Sequence, residues 1–296
     1  MYPRRDNERM DVGFFTLNTD RSFPIDRLAR ELEDRGFESL WVGEHSHFPV
    51  REETPYPGGG PRPDAYNRMA DPFVSLMAAG AVTERLVLGT GVCLILERDL
   101  IATAKTAATL DMLTGGRLVM GIGCGWNVEE LRNHQPDLPF SRRYGAMRER
   151  VHALRALWTE EEAEYHGEHV DFEPLYCFPK PVQQPAPPIM LGHWGPVGIR
   201  HVIEYADEWG PVDSFFEDPV RQVAEFRQQC EDAGRDPDSI EITIFAAAQP
   251  PIGRLMAYRD AGARRVVLGT GHPALHLPDK ALPFIERYTD AIEQLA

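Results

Sequence analysis
Hydrophobic and polar positions follow two rhythms along this chain. Short apolar runs of strand length occupy 11–17 (DVGFFTL), 37–43 (FESLWVG), 85–95 (RLVLGTGVCLI) and 117–123 (RLVMGIG). They return at 187–192 (PPIMLG), 240–248 (IEITIFAAA) and 263–269 (ARRVVLG), with a weaker run at 207–213. Between these runs apolar residues recur at helical spacing. Ile25, Leu28, Ala29 and Leu32 share one face of a helix that Gly36 ends. Asp71 before Pro72 predicts an N-cap and a first-turn proline for a helix reaching about Thr83. A helix near 99–113 stops at Gly115-Gly116, and Tyr144, Met147, Val151, Leu154 and Trp158 line a longer one. Further helices are predicted over 197–206, 219–234 and 252–261 and in the C-terminal tail.

Eight β-then-α units without a strong internal repeat favour a (β/α)8 TIM barrel over an open doubly wound sheet. The expectation is one domain spanning 1–296. Two segments break the rhythm: a Pro/Gly-rich insertion at 46–72 after strand 2, and a second at 161–188 before strand 5. Loops of that length usually carry function. The first leaves the carboxyl end of a strand, which is the active face of such a barrel.

Composition narrows the partners. The chain carries 31 Lys and Arg against 46 Asp and Glu, a net charge of −15, and no basic stripe. That charge argues against nucleic acid and anionic lipid surfaces and leaves a small-molecule substrate. With 43% hydrophobic residues a large core is expected. Cys93, Cys124, Cys177 and Cys230 form no C-x-x-C pair, which fits free thiols in a reducing compartment. The charged start MYPRRDNERMD has no apolar signal segment, and no apolar run approaches 18 residues. A cytoplasmic enzyme is expected.

In a barrel the chemistry sits just after the strands. Those positions are Thr16 and Asn18, then Glu44, His45 and His47, then Gly91, Val92 and Cys93. Strand 4 contributes Gly123, Cys124, Gly125 and Trp126, and strand 5 contributes Gly192, His193, Trp194 and Gly195. Strand 8 adds Gly269, Thr270, Gly271 and His272. Recurrent glycine lets backbone amides approach a flat ring or a phosphate. The run GIGCGW is no dinucleotide fingerprint, because Trp126 stands where the last glycine of G-x-G-x-x-G belongs. His45-x-His47 places two imidazoles on one strand face, with His193 and His272 as further zinc ligands in a hydrolase reading. No acidic residue follows strand 8 to serve as base, so no metal site is expected.

The strings WVGEHSHFP (41–49), LGTGVCLILERDLIATAKTAATLDMLTGGRLVMGIGCGWNVEE (88–130) and the segment from Leu154 to Pro196 carry a resemblance. Together they resemble the luciferase-like flavin and deazaflavin oxidoreductases, and more closely the branch that depends on coenzyme F420. The similarity runs in order from about residue 11 to residue 270. It implies a deazaflavin at the carboxyl mouth of the barrel, with FMN as the alternative, and hydride transfer to or from a small organic substrate. With FMN a monooxygenase using oxygen is the alternative activity. A homodimer is also implied.

The resemblance assigns residues. His45 would stand near the reactive ring carbon, where an imidazole of ordinary pKa about 6.5 can move a proton. Glu44 would orient it, or form a salt bridge instead. Gly91-Val92 matches a non-proline cis peptide that supports one ring face. Gly123, Cys124, Gly125, Gly192, His193, Trp194 and Gly195 would contact the cofactor, with its phosphate tail near the strand 4 and strand 5 loops. Phe15 and Trp126 would line the substrate pocket. Arg142-Arg143 could meet an anionic tail or form a solvated face. Trp126 replaces the glutamate that serves as general acid in sugar-phosphate dehydrogenases of the superfamily, so that reaction is not expected. Two adjacent glycines common after strand 5 are replaced by His193 and Trp194, and the usual His-Pro by Asp99-Leu100. A relative that binds the cofactor without turnover is the remaining alternative.

Overall fold
A computed structural model describes residues 9–247, 249–270, 272 and 274–295. The charged start of the chain, Ala248 and Gly271, which entered the sequence reading, lie outside the described residues. The first half runs β1 (Asp11–Thr16), α1 (Ile25–Asp34), β2 (Ser39–Val42), α2 (Pro72–Gly80), β3 (Val87–Thr90), β4 (Cys93–Leu94), α3 (Leu100–Leu113), β5 (Leu118–Gly123), α4 (Val128–His134) and α5 (Arg143–Thr159). It continues with β6 (Ala163–His166), β7 (Asp171–Leu175), β8 (Ile189–Leu191), α6 (Gly195–Tyr205), β9 (Glu208–Trp209), α7 (Pro219–Asp232), β10 (Glu241–Ala247), α8 (Ile252–Asp260), β11 (Arg265–Thr270) and α9 (Pro278–Leu295).

Strands β3, β2, β1, β11, β10, β9, β8 and β5 are neighbours in that order, and β3 pairs back onto β5. Every pairing in this ring is parallel. The eight-stranded α/β barrel expected from the sequence is therefore closed. Its helix ends follow local rules: Asp71 accepts from Val74 N as N-cap of α2, and Asp99 does the same for Ala102 N at α3.

The expected cis peptide at Gly91-Val92 is present, and it divides the run 85–95 into β3 and the two-residue β4. Two segments differ from expectation. The weak sixth strand shrinks to Glu208–Trp209. The insertion before strand 5 contains the antiparallel hairpin β6–β7, too short and too exposed to leave a clear apolar alternation. Glu149 of α5 holds that hairpin by accepting the backbone amides of Glu168, His169 and Val170.

The barrel interior is filled by a few large side chains set against bare backbone. Trp41, Val119, Met190, Phe245 and Val267 form this inner cluster. Trp41 lies in register with Gly89, where a Cβ would stand 2.2 Å from the indole. A Cβ on Gly210 would meet Met190 Sδ at 2.6 Å. Large and small thus alternate across facing strands, which lets side chains fill the barrel without overlap.

The string ATLD-x-L-x-GGR that carries the resemblance does its work at the other end of the barrel. The Asp111 carboxylate accepts from Val182 N and Gln183 N, at 2.9 and 3.1 Å, and so anchors the chain returning to β8. Arg117 donates to the carbonyls of Gly80, Thr83 and Leu86, closing the end of α2. These residues build the scaffold on which the mouth is formed.

Candidate active site
His45 leaves β2 at the carboxyl end of the barrel. Its Nδ1 lies 2.7 Å from Oε2 of Glu130, and Ser46 N donates to Glu130 Oε1 at 3.2 Å. The His45 side chain is 7% exposed and that of Glu130 is fully buried. Glu130 is delivered by the first turn of α4, where Asn127 Oδ1 caps its amide at 2.8 Å. A carboxylate on Nδ1 favours the tautomer with the proton there and leaves Nε2 free to act.

The orienting role considered for Glu44 therefore falls to Glu130. Glu44 is buried, accepts from Leu94 N at 2.7 Å, and forms an ion pair with Arg98. Arg98 in turn reaches Asp71, the N-cap of α2, at 2.5 Å. This makes Glu44 a buried support for the turn after β4 and not a group acting on the imidazole.

The insertion 46–72 folds over His45 and builds an aromatic box. Phe48, Tyr66 and Trp126 place their rings 4.5, 5.6 and 5.7 Å from the imidazole. Tyr56 packs on Tyr66 and on Trp126, and its hydroxyl donates to that of Tyr66. Arg62 lies 3.6 Å over the Phe48 ring and pairs with Glu52. Thr54 and Glu52 tie the insertion to Glu129 and Asn127, beside α4. The box is thus pinned at both ends, and Trp126 stands in it as a wall.

Beside the box lies the barrel mouth. Val92, presented by the cis peptide, seats its methyl groups against two strand ends: a Cβ at Gly123 or Gly192 would meet them at 2.5 and 3.1 Å. Gly43 and Gly91 likewise let the Phe15 ring pack closely, since a Cβ would stand 3.3 and 3.4 Å from it. A cleft lined by Phe15, Thr16, Leu17, Tyr56, Tyr66, Gly269, His272 and His276 opens from here. Phe15 and Trp126 are thus connected through Tyr56, which borders both cleft and box.

At the far rim the predicted residues separate. Trp194 is exposed and stacks on Phe215 at 5.0 Å. Gly195, at φ +79°, opens α6, whose first-turn amides have no side-chain cap. His193 turns inward: its Nε2 lies 3.2 Å from Met147 Sδ and its ring packs on Tyr144. Burial holds its pKa down at about 4, with His201 and Arg143 contributing, so the ring is neutral. The Cys124 thiol is also buried, and burial raises its pKa to about 11. Both side chains are buried, so what these two positions present at the strand ends is chiefly backbone. Arg142 is exposed and reaches Glu168, whereas Arg143 lies over Phe140 and its buried Nε has no partner among the described residues.

His193 sets a pH dependence. Its folded pKa lies below the ordinary 6.5, so the unfolded chain binds the extra proton first as pH falls. Stability should drop between about pH 6.5 and about pH 4, by on the order of 2–3 kcal/mol from this group. His193→Gln should flatten that slope relative to wild type in urea melts taken across the interval. An unchanged slope would show that the ring is not buried neutral.

Among the described residues no group of three or more His, Cys, Asp or Glu is arranged to hold a metal. His47 turns away from His45 toward Ser46 and Asn133, so the two do not converge as zinc ligands. Sequence reasoning missed Glu130, Phe48, Tyr56 and Tyr66. One signal was present for Glu130: Asn127 and Glu130 have the spacing of a helix N-cap and its third residue.

Comparison with known proteins agrees with this architecture. A protein of Mycobacterium tuberculosis (strain ATCC 25618 / H37Rv) is 37% identical over 94% of this chain and 97% of its own length. The structure of an F420-dependent secondary alcohol dehydrogenase, in complex with an F420-acetone adduct, superimposes with a TM-score of 0.75 at 18% identity, covering 97% of this chain and 99% of the other. The coenzyme F420-dependent tetrahydromethanopterin reductase of Methanopyrus kandleri gives 0.74 at 18% identity, over 96% and 99%. The family model for luciferase-like monooxygenases matches residues 10–281, and the chain belongs to that family of luciferase-like oxidoreductases.

Proposed function
We propose that this protein is an oxidoreductase that moves a hydride between a deazaflavin of the F420 type, held at the barrel mouth, and a small organic substrate. The observation that carries the reading is the His45–Glu130 pair, 2.7 Å apart and largely buried beside the barrel mouth. When bound, the deazaflavin supplies a ring carbon that accepts or releases hydride; with FMN the family chemistry extends to oxygen.

The residues present fit such a ligand. Gly43, Gly91, Gly123 and Gly192 let Phe15 and Val92 pack close against the strand ends, an apolar floor suited to a planar ring. The uncapped amides at the start of α6 and the unpartnered Nε of Arg143 suit an anionic tail. His45 would hold or move a proton at Nε2 while Glu130 keeps Nδ1–H in place. Phe48, Tyr56, Tyr66 and Trp126 would exclude water and present an apolar wall to the substrate.

Titration of the purified protein with F420 and, separately, with FMN tests the reading, followed by intrinsic tryptophan fluorescence. Saturable binding of F420 alone is expected. Preference for FMN would move the activity to a flavin monooxygenase and make oxygen uptake the next assay. Failure of both to bind would remove the redox reading.

A further inference from the structure
Behind the His45–Glu130 pair lies a third carboxyl group to which the reaction above assigns no task. Glu97 ends the short turn Ile95–Glu97 after β4 and is 7% exposed. Neither of its carboxyl oxygens meets a hydrogen-bond donor among the described residues. A Cβ on Gly125, at φ +73° in the strand 4 loop, would stand 3.2 Å from Glu97 Oε1. The carboxyl therefore lies directly beneath the loop that carries Trp126. Its strongest electrostatic neighbours are carboxylates, Glu130 first and Glu44 after it.

Glu97 also faces a second cavity, of about 370 Å³, on the flank of the barrel. Glu97, Arg98, His134, Arg150, His169 and Asp171 are among its lining. The cations around it are engaged elsewhere. Arg98 pairs with Glu44 and Asp71, and Arg150 of α5 donates to the carbonyls of Ile95 and Arg98. His134 of α4 is bonded to Ser46, and burial lowers its pKa. On the hairpin, Asp171 is paired with His166, and His169 lies 4.0 Å from Glu168. Glu149 of α5 is occupied by backbone amides of the hairpin.

A buried carboxylate facing another carboxylate with no donor is costly; a protonated one supplies its own donor. We propose that Glu97 is a positioning residue for His45. As a neutral acid it donates a hydrogen bond to Glu130, so that the acid pair carries one negative charge opposite the imidazole, and it exchanges its proton through the flank cavity. Burial and the adjacent Glu130 push its pKa up to about 10, in keeping with this geometry. With one charge on the pair Glu130 accepts from His45 Nδ1 without a second negative carboxylate behind it; two charges would repel each other inside the site. The proton on Glu97 moves without passing the barrel mouth, which a bound ligand would close.

The role in positioning His45 rests on the proposed redox reading, but the shared proton can be tested without it. Infrared spectra of the ligand-free protein at neutral pH should contain the carbonyl stretch of a buried protonated carboxylic acid. Glu97→Gln should remove that band, and raising the pH of wild type toward 10 should bleach it. The nitrogen resonances of His45 should show an alkaline inflection in wild type that Glu97→Gln abolishes, a readout that a merely structural role would not move. Should Glu97→Gln fold poorly, Glu97→Asp should keep the band at a shifted frequency. A wild-type spectrum without the band, or a band untouched by either substitution, overturns the proposal. So does a His45 titration identical in wild type and Glu97→Gln. If these spectra behave as expected while neither F420 nor FMN binds, the redox reading fails and the acid pair stands.

Discussion
His45→Gln should lower turnover by roughly 10²- to 10⁴-fold, the range expected when a positioned general acid or base is removed. Glutamine keeps an amide that can still donate to Glu130, so the buried carboxylate is not abandoned. The loss should therefore fall on kcat, with cofactor Kd unchanged within a few-fold. The reason is local. The imidazole stands beside the mouth with its Nδ1 held at 2.7 Å by a fully buried carboxylate, which fixes the tautomer. Single-turnover hydride transfer, followed by the absorbance of the cofactor, separates this from effects on product release. Retention of most of the rate would mean that His45 only packs the aromatic box.

The second large effect is expected at the opposite end of the barrel. Arg265 begins β11 with no exposed surface. It binds Glu38 through two nitrogens, at 2.7 and 2.8 Å, and Glu208 and Thr243 at 3.0 Å each. It thereby cross-links the starts of β2, β9, β10 and β11. Replacing Arg265 with methionine removes the cation but leaves Glu208 buried, and breaking a buried pair on one side typically costs about 3–5 kcal/mol. For a chain of this size that is a fall in Tm on the order of 10 °C. Thermal melts and urea titration would register it. A loss below about 1 kcal/mol would mean that the carboxylates relax to water or take up a proton at little cost. Arg265→Met combined with Glu208→Gln should recover part of the loss, because the uncompensated charge is gone.

Much of the scaffold was legible because its signals are local. Alternating strand and helix periods and caps such as Asp71 and Asp99 are written within a few residues of each other. The exceptions are informative. The weak sixth strand begins at Glu208, a buried charge that no strand pattern would place there, and it is made tolerable by Arg265 from a strand 57 residues away. The hairpin β6–β7 is tied down by Glu149 of a preceding helix, a contact that no pattern within the hairpin announces.

The site was legible at His45, Trp126, Phe15 and the Gly91-Val92 peptide, but not at the partner that holds the imidazole. His45 could be singled out from its position after strand 2 and from the family resemblance. The partner of its Nδ1 could not, because Glu130 lies 85 residues away and its neighbour Glu44 was the nearer candidate. The tertiary structure assigns the two carboxylates opposite tasks. Glu44 finds Arg98, a cation close enough to bind it strongly, and Glu130 is left facing the imidazole. His193 and Cys124 show the same effect in reverse, since residues at strand ends were expected in the mouth and their side chains turned into the core. A strand end fixes where the backbone goes; the side chain follows the nearest partner or the nearest apolar space.

By itself, then, the sequence determined the barrel, its long insertions, its acidic surface and the place of the histidine, because periodicity, caps and charge are properties of neighbouring residues. Only the tertiary structure decided which carboxylate serves His45, that Glu97 is buried without a donor behind it, and that five aromatic and imidazole rings close one box. Those outcomes depend on distances between segments far apart in the chain, and burial and pairing are settled only when the segments meet.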